Sequence, residues 1–268
     1  MRIATWNCFK GECRSRSALL ETLRPDIVIL QECSAPIKAP DDRCLWFGNR
    51  GKGIGVLSLS EMRLIVGPIS PDIPDSVFPV IVDGPVPFHL LAVWTQKRPS
   101  YIGTLFEAVD RYKDFLRESP SVIVGDFNSH PRWDSDNPVQ NHSAFVDLLE
   151  REFGIVSAYH NRSGYSAEAP EEPTLYWRWN ELKPFHIDYC FIPKAWLPRL
   201  RSVEVGSFAE WSSQSDHRPL VTDIDIDIEE SDPHHSHPDV PLRHERRLVP
   251  VSDLSKSEAG SMNTRIAE

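Results

Sequence analysis

Val122-Ile123-Val124-Gly125-Asp126-Phe127-Asn128 sets three branched aliphatic residues in front of a glycine, a carboxylate and an amide. A short continuous apolar run of this kind reads as a strand buried on both faces. Polar groups at its end emerge where a rigid scaffold meets a cleft, and functional side chains concentrate there. Alone the stretch says little, because an Asp after a strand is more often a turn or capping residue than a catalyst. The punctuation recurs, however. Ile3 to Trp6 ends in Asn7, and Ile27-Val28-Ile29-Leu30 ends in Gln31-Glu32. His186-Ile187-Asp188-Tyr189 opens another apolar run, and Ser215-Asp216-His217 precedes Arg218-Pro219-Leu220. The inference rests on all of these together.

Around them the chain reads as strands interleaved with few helices. Gly53–Leu59, Val77–Val82, Phe88–Trp94, Thr174–Trp177, His186–Ile192, Val203–Val205 and Pro219–Ile228 are strand candidates. Helical character marks Arg14–Leu23, Tyr101–Arg117 and a stretch from about His142 to Glu152. In the second of these, Leu105, Val109, Tyr112 and Leu116 stand near helical spacing. Gly51-Lys52-Gly53 reads as a hairpin turn rather than a phosphate-cradling loop. Core packing is expected for most of the eight tryptophans. After Ile228 the composition changes: residues 229–268 are polar and hold no Phe, Tyr or Trp. Such a segment cannot bury enough apolar surface to offset its ordering entropy. The expected organisation is therefore a catalytic domain over 1–228 and a disordered tail over 229–268. His234, His235 and His237 read as part of that solvated tail.

Composition narrows the function. The 268 residues are 40% hydrophobic and 25% charged, and no run of 18 apolar residues exists to cross a membrane. The N-terminus lacks the basic-then-apolar order of a secretory signal. Cys8, Cys13, Cys33, Cys44 and Cys190 form no regular framework and no C-x-x-C pair, so reduced thiols in the cytoplasm are expected and structural zinc is not. Neither a membrane partner nor stable self-association is expected, leaving a monomer. A net charge of −10 argues against a passive nucleic-acid coat, which binds by neutralising phosphates. It suits an enzyme that meets phosphate through a bound cation.

The ordered set Thr5-Trp6-Asn7, Gln31-Glu32, Gly125-Asp126-Phe127-Asn128, His186-Ile187-Asp188-Tyr189 and Ser215-Asp216-His217-Arg218-Pro219-Leu220 resembles the endonuclease/exonuclease/phosphatase superfamily. That superfamily includes DNase I, exonuclease III-type repair nucleases, neutral sphingomyelinases and inositol-polyphosphate 5-phosphatases. The resemblance runs from Arg2 to about Asp223. It implies an α/β fold of the α+β kind, a four-layer αββα sandwich of two mixed β-sheets flanked by helices.

Hydrolysing a phosphoester needs charge neutralisation, a nucleophilic water and protonation of the leaving oxygen. Glu32 offers the hard oxygen that Mg²⁺ or Mn²⁺ prefers. The resemblance implies that Glu32 binds this metal, assisted by Asn7 and Asp216. It gives Asp126 the water, Asn128 a hydrogen bond to the phosphate, and His217 the phosphoryl oxygens or a proton. Asp188 would hold His217 in tautomer and orientation. Whether Asp126 or His217 is the general base stays open. Where many members carry a His or Tyr at the end of the central strand, this chain has Trp94, whose indole can touch the phosphate but cannot act as an acid. His130, His142 and His160 are then candidate acids, although for each a turn or core histidine is the preferred reading.

The leading function is a divalent-metal-dependent phosphodiesterase acting on nucleic acid. A phosphatase or phosphodiesterase on a small metabolite or lipid headgroup is the alternative. A catalytically inactive binding protein of the same fold ranks last, because the acidic residues of the set are all present.

Overall fold

The computed structural model describes residues 1–226 apart from 50, 71–75, 98–99, 137–138 and 167. The tail expected over 229–268, with its three histidines, lies outside the described residues. Strands β1 (Arg2–Asn7), β2 (Ile27–Cys33), β3 (Cys44–Asn49), β4 (Lys52–Ser58) and β5 (Arg63–Val66) open the chain. They are followed by β6 (Val77–Asp83), β7 (Phe88–Trp94), β8 (Ser121–Asp126) and β9 (Ile155–Ser157). The last five are β10 (Leu175–Tyr176), β11 (Pro184–Phe185), β12 (Asp188–Pro193), β13 (Leu200–Val205) and β14 (Leu220–Ile224).

Two six-stranded sheets result, ordered β13-β14-β1-β2-β4-β3 and β5-β6-β7-β8-β12-β9. Each is mixed, with one parallel pair among antiparallel neighbours: β1 with β2, and β7 with β8. A parallel pair needs a crossover. Helix α1 (Cys13–Ala18) supplies the first; α2 (Tyr101–Arg111) and α3 (Lys113–Glu118) supply the second. Helix α4 (His142–Phe153) lies beside α2. Ser100 caps α2 by accepting from the Gly103 N–H, and Asn141 caps α4 by accepting from the Ala144 N–H.

Side-chain alternation builds the layers. Ile3, Ile29, Val56, Leu90, Val124 and Ile192 point between the sheets and make the central core. Leu91, Val93 and Phe191 point the other way, against Leu105, Leu116 and Phe145 of the helices. Ala4, Trp6, Val28 and Leu30 meet Cys13 and Leu20 on the opposite outer face. The order is helix, sheet, sheet, helix, the four-layer sandwich. Complete burial of each such aliphatic side chain is worth about 1.5–3 kcal/mol. No helix of the described residues is long and apolar enough to cross a membrane.

Two helices differ from the sequence expectation. The stretch 101–117 breaks at Tyr112 (φ −99°, ψ 16°), because that ring is drawn into the core at 4% exposure while its hydroxyl accepts from the Ser70 N–H. The helix expected over 14–23 stops at Ala18 and resumes as a short 3-10 turn over Glu21–Leu23. Besides the two-residue β11, three strands of the large sheets lie outside the sequence expectation: β3, β5 and β9. All are sheet edges, where half-satisfied pairing goes with short or weakly patterned sequence.

Candidate active site

The inter-sheet face that carries Ile3, Val124 and Cys190 continues, two or four residues along each strand, to Asn7, Asp126 and Asp188. The apolar core of the sandwich is therefore closed at one end by polar groups. Asn7 and Asp126 belong to opposite sheets and meet there: Asn7 Nδ2 donates to Asp126 Oδ2 at 3.0 Å. Asp126 Oδ1 accepts the Asn128 N–H at 2.9 Å. Gly125 before it has φ +146°, and a Cβ there would lie 1.9 Å from the Val93 carbonyl oxygen of the neighbouring strand. Only glycine fits so close an approach.

His217 arrives from the loop before β14. Ser215 Oγ donates to the Asn7 carbonyl at 2.7 Å and accepts the His217 N–H at 3.0 Å, which ties that loop to the first strand. Arg218, fully buried, donates from Nη1 to the Ser215 and His217 carbonyls, both at 2.8 Å, beneath the rings of Phe208 and Tyr176. Asp188 is placed by Thr174, whose Oγ1 accepts the N–H of both Ile187 and Asp188 at 3.0 Å. The result is a buried dyad: His217 Nδ1 lies 2.9 Å from Asp188 Oδ2, and Nε2 faces Asp126 Oδ2 at 3.9 Å. A carboxylate accepts from Nδ1–H, so Nε2 is the nitrogen left to the cleft.

The charges are strongly coupled. Burial raises Asp126 to about 7, with the negative Asp188 pushing the same way. Burial alone would lower His217, but Asp188 and Asp126 outweigh it and lift the imidazole to about 9. At neutral pH the site holds a buried imidazolium against Asp188, with Asp126 divided between its neutral and charged forms.

Glu32 stands at the rim. Strict alternation would send its side chain outward with Val28 and Leu30. The register of β2 against β4 shifts between Leu30 and Cys33, and Glu32 takes φ +61°. This left-handed kink costs conformational energy and is the kind of strain that functional sites hold. It turns the carboxylate toward Asn7, whose Nδ2 reaches Oε1 at 3.3 Å. Lys52 from the β3–β4 hairpin places Nζ 2.5 Å from the other oxygen.

These residues fit a divalent cation. Asp126, Asp188 and His217 can place one ligand atom each within 4.8 Å of one another. Asp188 Oδ1 is buried with no hydrogen-bond partner, a cost that a cation would relieve. Glu32 already holds a positive charge, and the donors are mostly hard oxygens.

The remaining candidates are distributed as follows. Asn128, in a left-handed conformation (φ +47°), donates from Nδ2 to the Thr95 carbonyl at 3.1 Å. Trp94 pairs in register with Asp126 and is partly buried against the central core. Asp216 flanks His217, and among the described residues its carboxylate is not hydrogen-bonded to Glu32 or Asn7. His130 has both ring nitrogens engaged, Nε2 with Glu171 at 2.7 Å and Nδ1 with the Arg132 N–H at 3.0 Å. His160 is likewise held between Ser157 and Glu171. His142 is buried, which pushes it down to about 4, and it pairs with Ser129. All three are thus engaged by neighbouring groups.

Two residues were not anticipated. Lys52 was read only as a hairpin turn. Tyr101, first residue of α2, feels both burial and the charge of Asp126, which raise its phenol. Neither sits at the end of an apolar run or within one of the motifs that carry the family resemblance. Of the tryptophans, Trp6, Trp196 and Trp211 are core, whereas Trp133, Trp177 and Trp179 are exposed at 47%, 50% and 41%.

A sandwich of two mixed sheets, closed at one end by Asn, Asp and His from both, is a DNase I-like phosphoesterase scaffold. The chain belongs to the Endonuclease/Exonuclease/phosphatase family, whose model matches residues 4–217. Comparison with curated protein sequences gives no match. Among solved structures, an AP endonuclease from Archaeoglobus fulgidus superposes with a TM-score of 0.63 at 19% identity, covering 84% of this chain and 100% of its own. The 3′ phosphatase NExo from Neisseria, bound to product DNA hairpin, gives 0.61 at 22% identity over 84% and 99%. A 3′-5′ exonuclease, NExo from Neisseria meningitidis, gives 0.59 at 22% identity over 84% and 100%. At such identities the likeness is one of fold.

Proposed function

We propose that the chain is a divalent-metal-dependent phosphodiesterase that cleaves nucleic acid. The observation that carries this is the buried Asn7–Asp126–Asp188–His217 constellation, with Glu32 turned toward it by a backbone kink. Glu32 would hold the cation, with Asn7 beside it and Asp216 assisting. Bound there, Mg²⁺ or Mn²⁺ supplies Lewis-acid neutralisation of the phosphoryl oxygens.

The chain's own groups do the rest. Asp188 fixes the His217 ring and keeps it charged, so His217 Nε2–H donates to a phosphoryl oxygen as negative charge builds up. Asp126, across a 3.9 Å gap from Nε2, orients the attacking water and takes its proton. The elevated Asp126 and His217 favour this division over the reverse, since a proton acceptor works best near its operating pH. Asn7 and the Asn128 N–H hold the Asp126 carboxylate in place, and Asn128 lies next to where the phosphate sits. Trp94 closes the wall at the strand end.

Nucleic acid is favoured over a small phosphoester by the rim. Trp177 and Trp179 stand exposed on the β10–β11 hairpin with Arg178 between them. Phe9 packs edge-on against Trp179 at 5.1 Å, with Lys10 and Lys52 over its ring. Aromatic faces interleaved with cations are what stacked bases and a phosphate backbone require. The DNA-directed structural neighbours agree with that substrate class. The deciding experiment offers plasmid, single-stranded DNA, RNA, abasic duplex, inositol phosphates and bis-p-nitrophenyl phosphate with Mg²⁺ or Mn²⁺. Turnover confined to phosphomonoesters or inositol phosphates would replace this reading with the phosphatase one.

A further inference from the structure

A separate recess opens where β8 leads into α4 and the first turn of α2 approaches. It is a cavity of about 420 Å³ with Tyr101 and Trp133 as aromatic walls and Ser129 and His142 in its lining. Asn128 lines it too, two residues after Asp126, so whatever enters lies next to the phosphate that the site would cleave.

Its walls are set in advance. Trp133 is 47% exposed, yet its ring leans on Phe185 at 5.2 Å and on His130 at 5.9 Å. His130 is pinned in turn by Glu171, which also takes His160. Asp134 is fixed by the His142 and Ser143 N–H groups. A large ring held on one side and left open on the other is preorganised to stack, with little entropy left to lose. This also gives the His130–Glu171–His160 bridge a purpose: it braces the tryptophan.

The charge of the lining selects the occupant. Among the described residues no Lys or Arg lines the cavity, whereas Asp134 does. A second phosphate would be repelled there. A neutral flat ring with polar edges fits, stacked on indole and hydrogen-bonded at its margin. We infer that this cavity receives the nucleobase of the nucleotide adjoining the scissile phosphate, a subsite that makes the enzyme a reader of bases as well as of backbone. The inference rests on the proposed nuclease reading, and its test separates the two.

Metal-free protein is titrated with AMP and with ribose 5-phosphate, which keeps the sugar and phosphate and lacks the base. Binding is followed by tryptophan fluorescence and calorimetry. Wild-type protein and Trp133→Phe should prefer AMP by roughly tenfold or more, within the range of base–aromatic stacking. Trp133→Ala, at an exposed position that leaves the fold intact by circular dichroism, should lose most of that preference. Equal binding of the two ligands by wild-type protein, or an unchanged preference in Trp133→Ala, overturns the subsite. Phosphodiester turnover is measured separately on the same proteins. Turnover without a Trp133-dependent base preference removes the subsite and leaves the nuclease. A Trp133-dependent preference without turnover removes the nuclease and leaves the subsite.

Discussion

Glu32 and Asp188 are both carboxylates within the same site, yet they are set up for different work. Glu32 is partly exposed, kinked out of its strand and already facing a cation. Asp188 is fully buried against His217. Glu32→Gln is nearly isosteric, so the fold should persist while Mn²⁺ affinity, read by calorimetry, falls sharply. The transition state then loses several kcal/mol of charge stabilisation. Three or four kcal/mol corresponds to a rate about a hundred- to a thousand-fold lower. Normal metal affinity and turnover in this variant would remove Glu32 from the metal site. Asp188→Asn should behave otherwise: metal affinity falls less than in Glu32→Gln while kcat drops, because His217 loses the partner that orients it and keeps it charged. The alkaline limb of the pH–rate profile should move to lower pH. An unmoved limb would mean that His217 protonation does not govern the rate. Asn7, Asp126 and Asp188 were legible in the sequence because they stand where apolar runs begin or end, within the motifs of the resemblance. The inward turn of Glu32 was not, since it depends on a register shift that no residue type announces.

At the scale of elements, the hairpin β10–β11 carries the clearest consequence. Trp179 is anchored by its indole N–H to the Ser212 carbonyl at 2.9 Å. Trp177 is the more exposed. Trp177→Ala should raise KM for a single-stranded oligonucleotide by about tenfold, the lower part of what stacking on one base contributes. Hydrolysis of bis-p-nitrophenyl phosphate, too small to reach the hairpin, should be unchanged. Equal losses on both substrates would make Trp177 a structural residue. The central strands of each sheet could be read from sequence because both their faces are apolar. The edges β3, β5 and β9 could not, because their pairing is decided by neighbours distant in the chain, and of this hairpin only β10 was legible, within the strand expected over Thr174–Trp177. The helix break at Tyr112 belongs to the same category, a tertiary demand overriding a local period.

For the whole molecule, the buried ionisable groups set a stability optimum near neutral pH. His142 and His186 are 4% and 1% exposed, and burial lowers each from 6.5 to about 4. His186 donates from Nδ1 to the Glu172 carbonyl, and its Nε2 is buried without a partner, so a proton there is costly. The unfolded chain takes up these protons near pH 6.5 and the folded chain only near 4. Their contribution is therefore complete above 6.5 and lost as the pH falls to 4. At 1.36 kcal/mol per unit, each histidine accounts for about 3 kcal/mol. Asp126, raised to about 7 by burial and by Asp188, works against them and offsets part of the loss. Glu171 adds to it at lower pH: burial would raise it, but hydrogen bonds from His130 and His160 hold it well below the usual range. On the alkaline side His217, lifted to about 9 mainly by Asp188 against the effect of burial, contributes fully below 6.5 and less as the pH climbs to 9. Urea unfolding across pH 4–9 should give a curve that falls on both sides. His142→Gln should be less steep than wild type on the acid limb alone, by about 3 kcal/mol between pH 6.5 and 4. An acid limb of unchanged slope in that variant would mean that His142 titrates in the folded protein as it does in the open chain.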